Sequence, residues 1–141
     1  MYEEIKKQII KHESTINEIY LDHLGNATFG VGHLVLPTDD LKEGVKYDDT
    51  KIMEFFEKDF SQAVKDSRTF TQEENIDPVA FGCVINMAFQ LGLPRLLKFK
   101  NFRYHLNKCD YESASSEMLD SLWAKQTPNR AKELAETMRS I

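Results

Sequence analysis

Three residues near the start of this 141-residue chain could do chemistry together: Glu13, Asp22 and Thr28. Eight residues lie between the two acids and five between Asp22 and the threonine. Two carboxylates across a cleft, with a hydroxyl near one of them, are the equipment for hydrolysing a glycosidic bond. One acid protonates the leaving oxygen while the other orients a water on the far side of the sugar. In a chain with 23 Asp and Glu, however, such a pair is ordinarily just two solvated side chains, so the spacing alone does not single it out.

The elements that must position these groups are legible nearby. Ile5, Ile9 and Ile10 fall at helical spacing, predicting a short amphipathic helix over residues 3–11 that leads straight to His12 and Glu13. Alternation predicts a strand over Glu18–Leu21 and another over Ala27–Val31, with His23–Asn26 as the turn. Within it, Leu24-Gly25-Asn26 can supply the positive φ values of a tight hairpin. Residues 34–36 could add a third strand, ended by Pro37. Gly30 and Gly32 lie inside this strand pattern with no helix start behind them, so close backbone approach explains them better than a dinucleotide loop.

Downstream the pattern is helical. Residues 37–48 read as a polar surface loop, and Ile52, Phe55, Phe56, Phe60, Ala63 and Val64 predict a helix from Thr50 to about Asp66, capped by Asp48, Asp49 or Thr50. Thr71-Gln72-Glu73-Glu74 has the capping-box pattern of a short helix or turn. Asp77-Pro78 is a helix start, and the run to Leu91 is apolar nearly all round, which makes it a buried centre ending at Gly92. Asn86 and Gln90 on that helix need polar partners. After Pro94, Leu96, Leu97, Phe99, Phe102 and Leu106 predict two short helices. A further helix spans Tyr111 to about Gln126 with Trp123 as a core anchor, and Thr127-Pro128 caps and starts the last one.

Composition narrows the classes. There is no run of eighteen apolar residues, and the N-terminus lacks an apolar stretch with a small-residue cleavage site, so neither a membrane span nor a signal peptide is expected. Cys83 and Cys109 read as reduced thiols, and the His and Cys residues show no metal-ligand spacing. The net charge of −5 is uneven: residues 1–92 carry 9 Lys and Arg against 17 Asp and Glu, residues 93–141 carry 9 against 6. That balance excludes nucleic acid as an expected partner, and it also runs against an enzyme that works on anionic bacterial walls.

The arrangement Glu13-x8-Asp22-x5-Thr28, followed by Phe29-Gly30-Val31-Gly32-His33, resembles the catalytic segment of the phage-type lysozymes, the endolysin family of the T-even bacteriophages. Ile85-Asn86-Met87-Ala88-Phe89-Gln90 and Gln126-Thr127-Pro128-Asn129-Arg130 resemble two further signatures of that family, in the same order. The resemblance implies a mostly helical α+β fold over residues 1–141. A small sheet-bearing lobe (about 12–50) would be joined by a long helix (50–66) to a helical lobe (about 67–141 with the N-terminal helix). It implies Glu13 as general acid, with Asp22 and Thr28 holding the attacking water. Leu34, Phe89 and Gln90 would lie along the sugar cleft, Arg130 near Glu13, His33 and Asp59 would form an ion pair tying sheet to helix, and Asn86 would support the site. Phe102 and Glu117 depart from the small polar or amide groups expected at two cleft positions.

The implied activity is a cofactor-free and metal-free muramidase acting on peptidoglycan glycan strands as a monomer, by inversion, without inserting in a membrane. It would gather in a host cytoplasm and depend on a holin-like pore to reach the wall. Two rivals stand beside it. One is a lytic transglycosylase, which can manage with a single acid. The other is a catalytically silent wall-binding or virion component that keeps the fold.

Overall fold

The structure, a computed structural model, describes residues 2–141. It is an α+β fold dominated by helices, with one small antiparallel sheet near the N-terminus. The chain forms two compact units, Glu3–Gln62 and Ala63–Ile141. The residues of the first helix fall in the first unit.

In the first unit, α1 spans Glu3–Glu13, two residues longer than its apolar spacing predicts. Acids open it (Glu3, Glu4) and bases close it (Lys11, His12), each sign facing the end of the helix dipole that favours it. Ser14, at φ 65°, turns the chain out of the helix while its N–H still bonds to the Ile10 carbonyl. The sheet follows as β1 (Ile16–Leu21), β2 (Ala27–Gly30) and β3 (His33–Leu34), in that order. In its register Tyr20 pairs with Thr28, and Thr28 with Leu34. Phe29 points the other way, fully buried, with its ring edge-on to Tyr47 at 5.4 Å and Phe55 at 5.7 Å. The two-residue period of the strand thus sends Phe29 into the core and Thr28 to the opposite face.

The third strand is His33–Leu34 and not residues 34–36. Gly30 and Gly32 both have φ near +63°, so the chain reverses between them and pairing restarts one residue early. A 3-10 turn at Pro37–Asp39 follows.

Helix α2 runs Asp49–Phe70. Asp48 caps it, its Oδ1 accepting the Lys51 N–H at 2.9 Å. It continues four residues past Asp66 because its last carbonyls find side-chain donors: Arg103 bonds to those of Thr69 and Phe70, and Asn107 to that of Phe70. Asn107 also accepts the N–H groups of Gln72 and Glu73, so the capping-box pattern there closes a turn and starts no helix.

Helix α3, Pro78–Leu91, begins as expected on Asp77, whose carboxylate accepts the Val79 N–H at 2.8 Å. Around it stand α4 (Leu93–Leu96), α5 (Lys100–Asn107), α6 (Tyr111–Leu119), α7 (Leu122–Gln126) and α8 (Pro128–Arg139). The single helix predicted from Tyr111 to Gln126 is two. Ser121 breaks it, donating its hydroxyl to Met118 and accepting the Ala124 N–H to start α7. Thr127 does not cap α8; its hydroxyl donates to the Trp123 carbonyl instead. Cys83 is buried and Cys109 partly so, both as free thiols, with burial pushing the Cys83 thiol up to about 12.

Candidate active site

The three candidate residues fall on three pieces of the first unit. Glu13 is the last residue of α1, Asp22 follows the end of β1, and Thr28 is central in β2. Gly32 comes up against Glu13: a Cβ at that glycine would sit 2.9 Å from the acid's Cδ and Oε1. Its φ of +64° adds a second reason for glycine. The close approach that the sequence suggested at Gly32 is therefore an approach to the candidate acid itself.

Asp22 organises the hairpin turn. Its Oδ1 accepts the backbone N–H of Leu24 at 2.9 Å and of Asn26 at 2.8 Å, while Oδ2 has a longer 3.4 Å contact with the Asn26 amide. The Asn26 N–H, with help from Leu24, holds this carboxyl below the usual carboxylate range. Thr28 is buried and donates its hydroxyl to the Asn26 carbonyl at 2.8 Å. Asn26 thus bridges the two: its N–H fixes the acid and its C=O fixes the hydroxyl. With the Thr28 proton committed, the lone pairs of its oxygen are what it offers to a water.

Tyr20 is a further member that the motif did not reveal. It is the cross-strand partner of Thr28. Its phenol is held above its ordinary value, first by burial and then by the charges of Glu13 and Asp22.

A clamp stands behind β3. His33 Nδ1 lies 2.7 Å from Asp59, as the resemblance implied, and Nε2 lies 2.7 Å from Asp39, which it did not. A neutral imidazole can donate through only one nitrogen, so two carboxylates require the charged ring. Burial opposes that charge, yet the bonds to Asp59 and Asp39 outweigh it and lift the His33 pKa. Asp39 also accepts the Leu36 N–H, which anchors the 3-10 turn to the clamp.

The remaining candidates are distributed as follows. Leu34 is beside Thr28 on β3 and more than half exposed. In the second unit Asn86 is fully buried and accepts the Arg130 Nε–H at 2.9 Å, and the Asn86 carbonyl accepts a second Arg130 donor at 3.4 Å. Gln90 gives its amide oxygen to the Trp123 indole N–H at 2.8 Å, so it acts there as a core partner. Phe89 is half-buried on α3. An open cavity of about 400 Å³ in this unit is lined by Phe99, Phe102, Glu117, Ser121 and Trp123 among others, which puts both departures from the family pattern on one surface. Phe102 is itself 1% exposed and packs on Phe70 and Phe99, which is why a large apolar group stands there.

A small antiparallel sheet carrying Asp22 and Thr28, with Glu13 at the end of the helix before it and a run of helices after it, has the order of elements that the resemblance to the lysozymes implies. Residues 10–139 match the model of the phage lysozyme family, and the chain belongs to that family. It is similar to the probable T4-type lysozyme 1 of Dictyostelium discoideum, at 27% identity over 99% of this chain and 96% of that protein. The probable T4-type lysozyme 2 of the same organism is 28% identical over 93% and 91%. The pre-baseplate central spike protein Gp5 of Enterobacteria phage T4 is 26% identical over 81% of this chain, which spans 24% of that protein. The acidic composition had weighed against an enzyme; the family assignment overturns that inference.

Proposed function

We propose that this lysozyme hydrolyses the β-1,4 bond between N-acetylmuramic acid and N-acetylglucosamine in peptidoglycan, with inversion at the anomeric carbon. Glu13 donates its proton to the leaving oxygen. A water gives one hydrogen bond to Asp22 Oδ2 and one to Thr28 Oγ1, which leaves a lone pair free to attack. Asp22 then takes the proton that the water loses.

The observation that carries this reading is the bonding around Asn26. It leaves Asp22 pinned through Oδ1 by two backbone donors and Thr28 able only to accept. A carboxylate so held is suited to orienting a water and poorly suited to moving onto a sugar carbon as a nucleophile. The same feature weighs against a transglycosylase, which needs no second acid. Product analysis on purified peptidoglycan tests it: new reducing ends, first seen as the α-anomer, are expected. An initial β-anomer would make Asp22 a nucleophile, and anhydro-muramic ends would mean transglycosylation.

The match to a spike protein favours a second reading, in which the fold serves as a component of a virion. Its silent form would release no product at all. The cellular setting we propose is lysis from within: a monomer held in the host cytoplasm until a holin-like pore opens the way to the wall. The family resemblance supports that setting. Bacteria expressing the protein should lyse only when a pore-forming protein is co-expressed.

A further inference from the structure

Asn26 closes the turn between β1 and β2, and three bonds fix its backbone there. Its carbonyl accepts the Asp22 N–H at 3.0 Å and the Thr28 hydroxyl at 2.8 Å, while its own N–H bonds to Asp22 Oδ1 at 2.8 Å. From that fixed backbone the side-chain amide reaches the other carboxylate oxygen, with Nδ2 lying 3.4 Å from Asp22 Oδ2. An ionised carboxyl only accepts, so the amide turns its nitrogen and not its oxygen toward it. A carboxylate has about four lone-pair sites, two on each oxygen. On Oδ1 both are taken, by the N–H groups of Leu24 and Asn26. On Oδ2 the amide takes one, which leaves one for a water. At 3.4 Å the amide bond is long, so Oδ2 keeps more of the negative charge than Oδ1 and is the better base.

We propose that Asn26 is a positioning residue through its side chain: the amide occupies one lone pair of Asp22 Oδ2 and so confines the attacking water to the other. The proton that the water loses arrives on that same lone pair, and no bond of the turn has to break to receive it. Any residue at this position would supply the N–H and the C=O; the amide is what asparagine adds. The mechanistic part of the proposal rests on Asp22 holding the water, as proposed above.

Asn26→Ala keeps the backbone groups and removes the amide. The bond lost is an exposed one, so the melting temperature should stay near that of the parent. The value of kcat should fall about three- to tenfold, the share of one hydrogen bond, with KM little changed. A second measurement needs no turnover. In protein carrying carbon-labelled aspartate, the NMR titration of Asp22 should move up toward the ordinary carboxylate range in Asn26→Ala, because one of the donors that hold it down is gone. Asn26→Asp separates positioning from packing. It keeps the shape of asparagine but sets a second negative charge against Oδ2. At neutral pH it should therefore lose more activity than Asn26→Ala and raise the Asp22 titration further. An Asn26→Asp variant that is milder than Asn26→Ala would mean that shape alone matters and would overturn the proposal. So would an Asp22 titration that stays in place in Asn26→Ala. A wild-type protein that gives the β-anomer first would refute the water-holding role of Asp22, and with it the positioning of a water, while the titration still decides the contact separately.

Discussion

At the scale of single residues, the site separates into groups that act through side chains and groups that act through backbone. Glu13, Asp22 and Thr28 stand out as candidates through the family resemblance, because side-chain chemistry leaves a trace in residue type and spacing. Asn26 does not: its bonds to Asp22 Oδ1 and to Thr28 come from its N–H and C=O, which any residue could supply. Tyr20 escaped notice because its relation to Thr28 is across strands and depends on register. Glu13→Gln should stay folded and lose about 10²–10⁴-fold in rate, as expected when a general acid is removed. Thermal melting beside a lysis assay checks both halves, and a folded variant with near-full activity would remove Glu13 from its role. Thr28→Val keeps the shape of the side chain but removes the acceptor for the water. It should lower kcat more than it raises KM, and an effect confined to KM would show that Thr28 contacts sugar instead. Gly32→Ala forces a Cβ onto the Glu13 carboxyl at a left-handed φ. We expect activity to fall well beyond the loss of stability, which is about 1–2 kcal/mol for that backbone conformation; a fully active variant would mean that the acid tolerates displacement.

At the scale of elements, most helices were readable from period and caps, and the errors share one cause. Ser121, Thr127 and Asn107 each make a side-chain bond to backbone that residue type does not reveal, so pattern alone mistook a break for continuity, a hydroxyl for a cap, or a turn for a capping box. The same limit hid Asp39, which meets His33 through the 3-10 turn at Pro37–Asp39. That clamp gives the small sheet a pH dependence. The His33 pKa is raised in the fold above its ordinary value of about 6.5, so its contribution is complete below that pH and lost as pH rises through the raised value. Asp39 is lowered, burial being outweighed by the Leu36 N–H and His33, so its share is lost only in acid, as pH falls through its folded value. Urea unfolding should therefore show stability declining on the alkaline side of about pH 6.5. His33→Ala should cost about 1.5–3 kcal/mol at neutral pH, as for losing hydrogen bonds to a charged group in a part-buried site, and should flatten the decline. A decline of equal slope in that variant would assign the pH dependence to another group.

At the scale of the whole molecule, charge was read correctly and its consequence was not. Net charge governs association and solubility; it does not dictate which bond a pair of carboxylates can cleave. The consequence belongs to encounter with the wall. The unit that carries Glu13, Asp22 and Thr28 has 7 Lys and no Arg against 13 Asp and Glu, a net −6, whereas Ala63–Ile141 has 11 basic residues against 10 acidic ones, +1. An anionic wall repels the site-bearing unit over a range set by the ions between them. That range is about 30 Å at 0.01 M salt and about 8 Å at 0.15 M. Raising the salt over this interval should therefore speed digestion of intact walls about threefold or more, through kcat/KM, as expected when electrostatic repulsion is screened. On glycan strands stripped of their anionic polymers the same change should have little effect. Glu43→Lys combined with Glu54→Lys changes two exposed acids to bases and lifts the unit from −6 to −2, so the double variant should digest walls faster at low salt and respond less to added salt. Turbidity loss of wall suspensions across a salt series measures both. A rate that falls as salt is added would mean that attraction, through the basic residues of the second unit, governs the encounter instead.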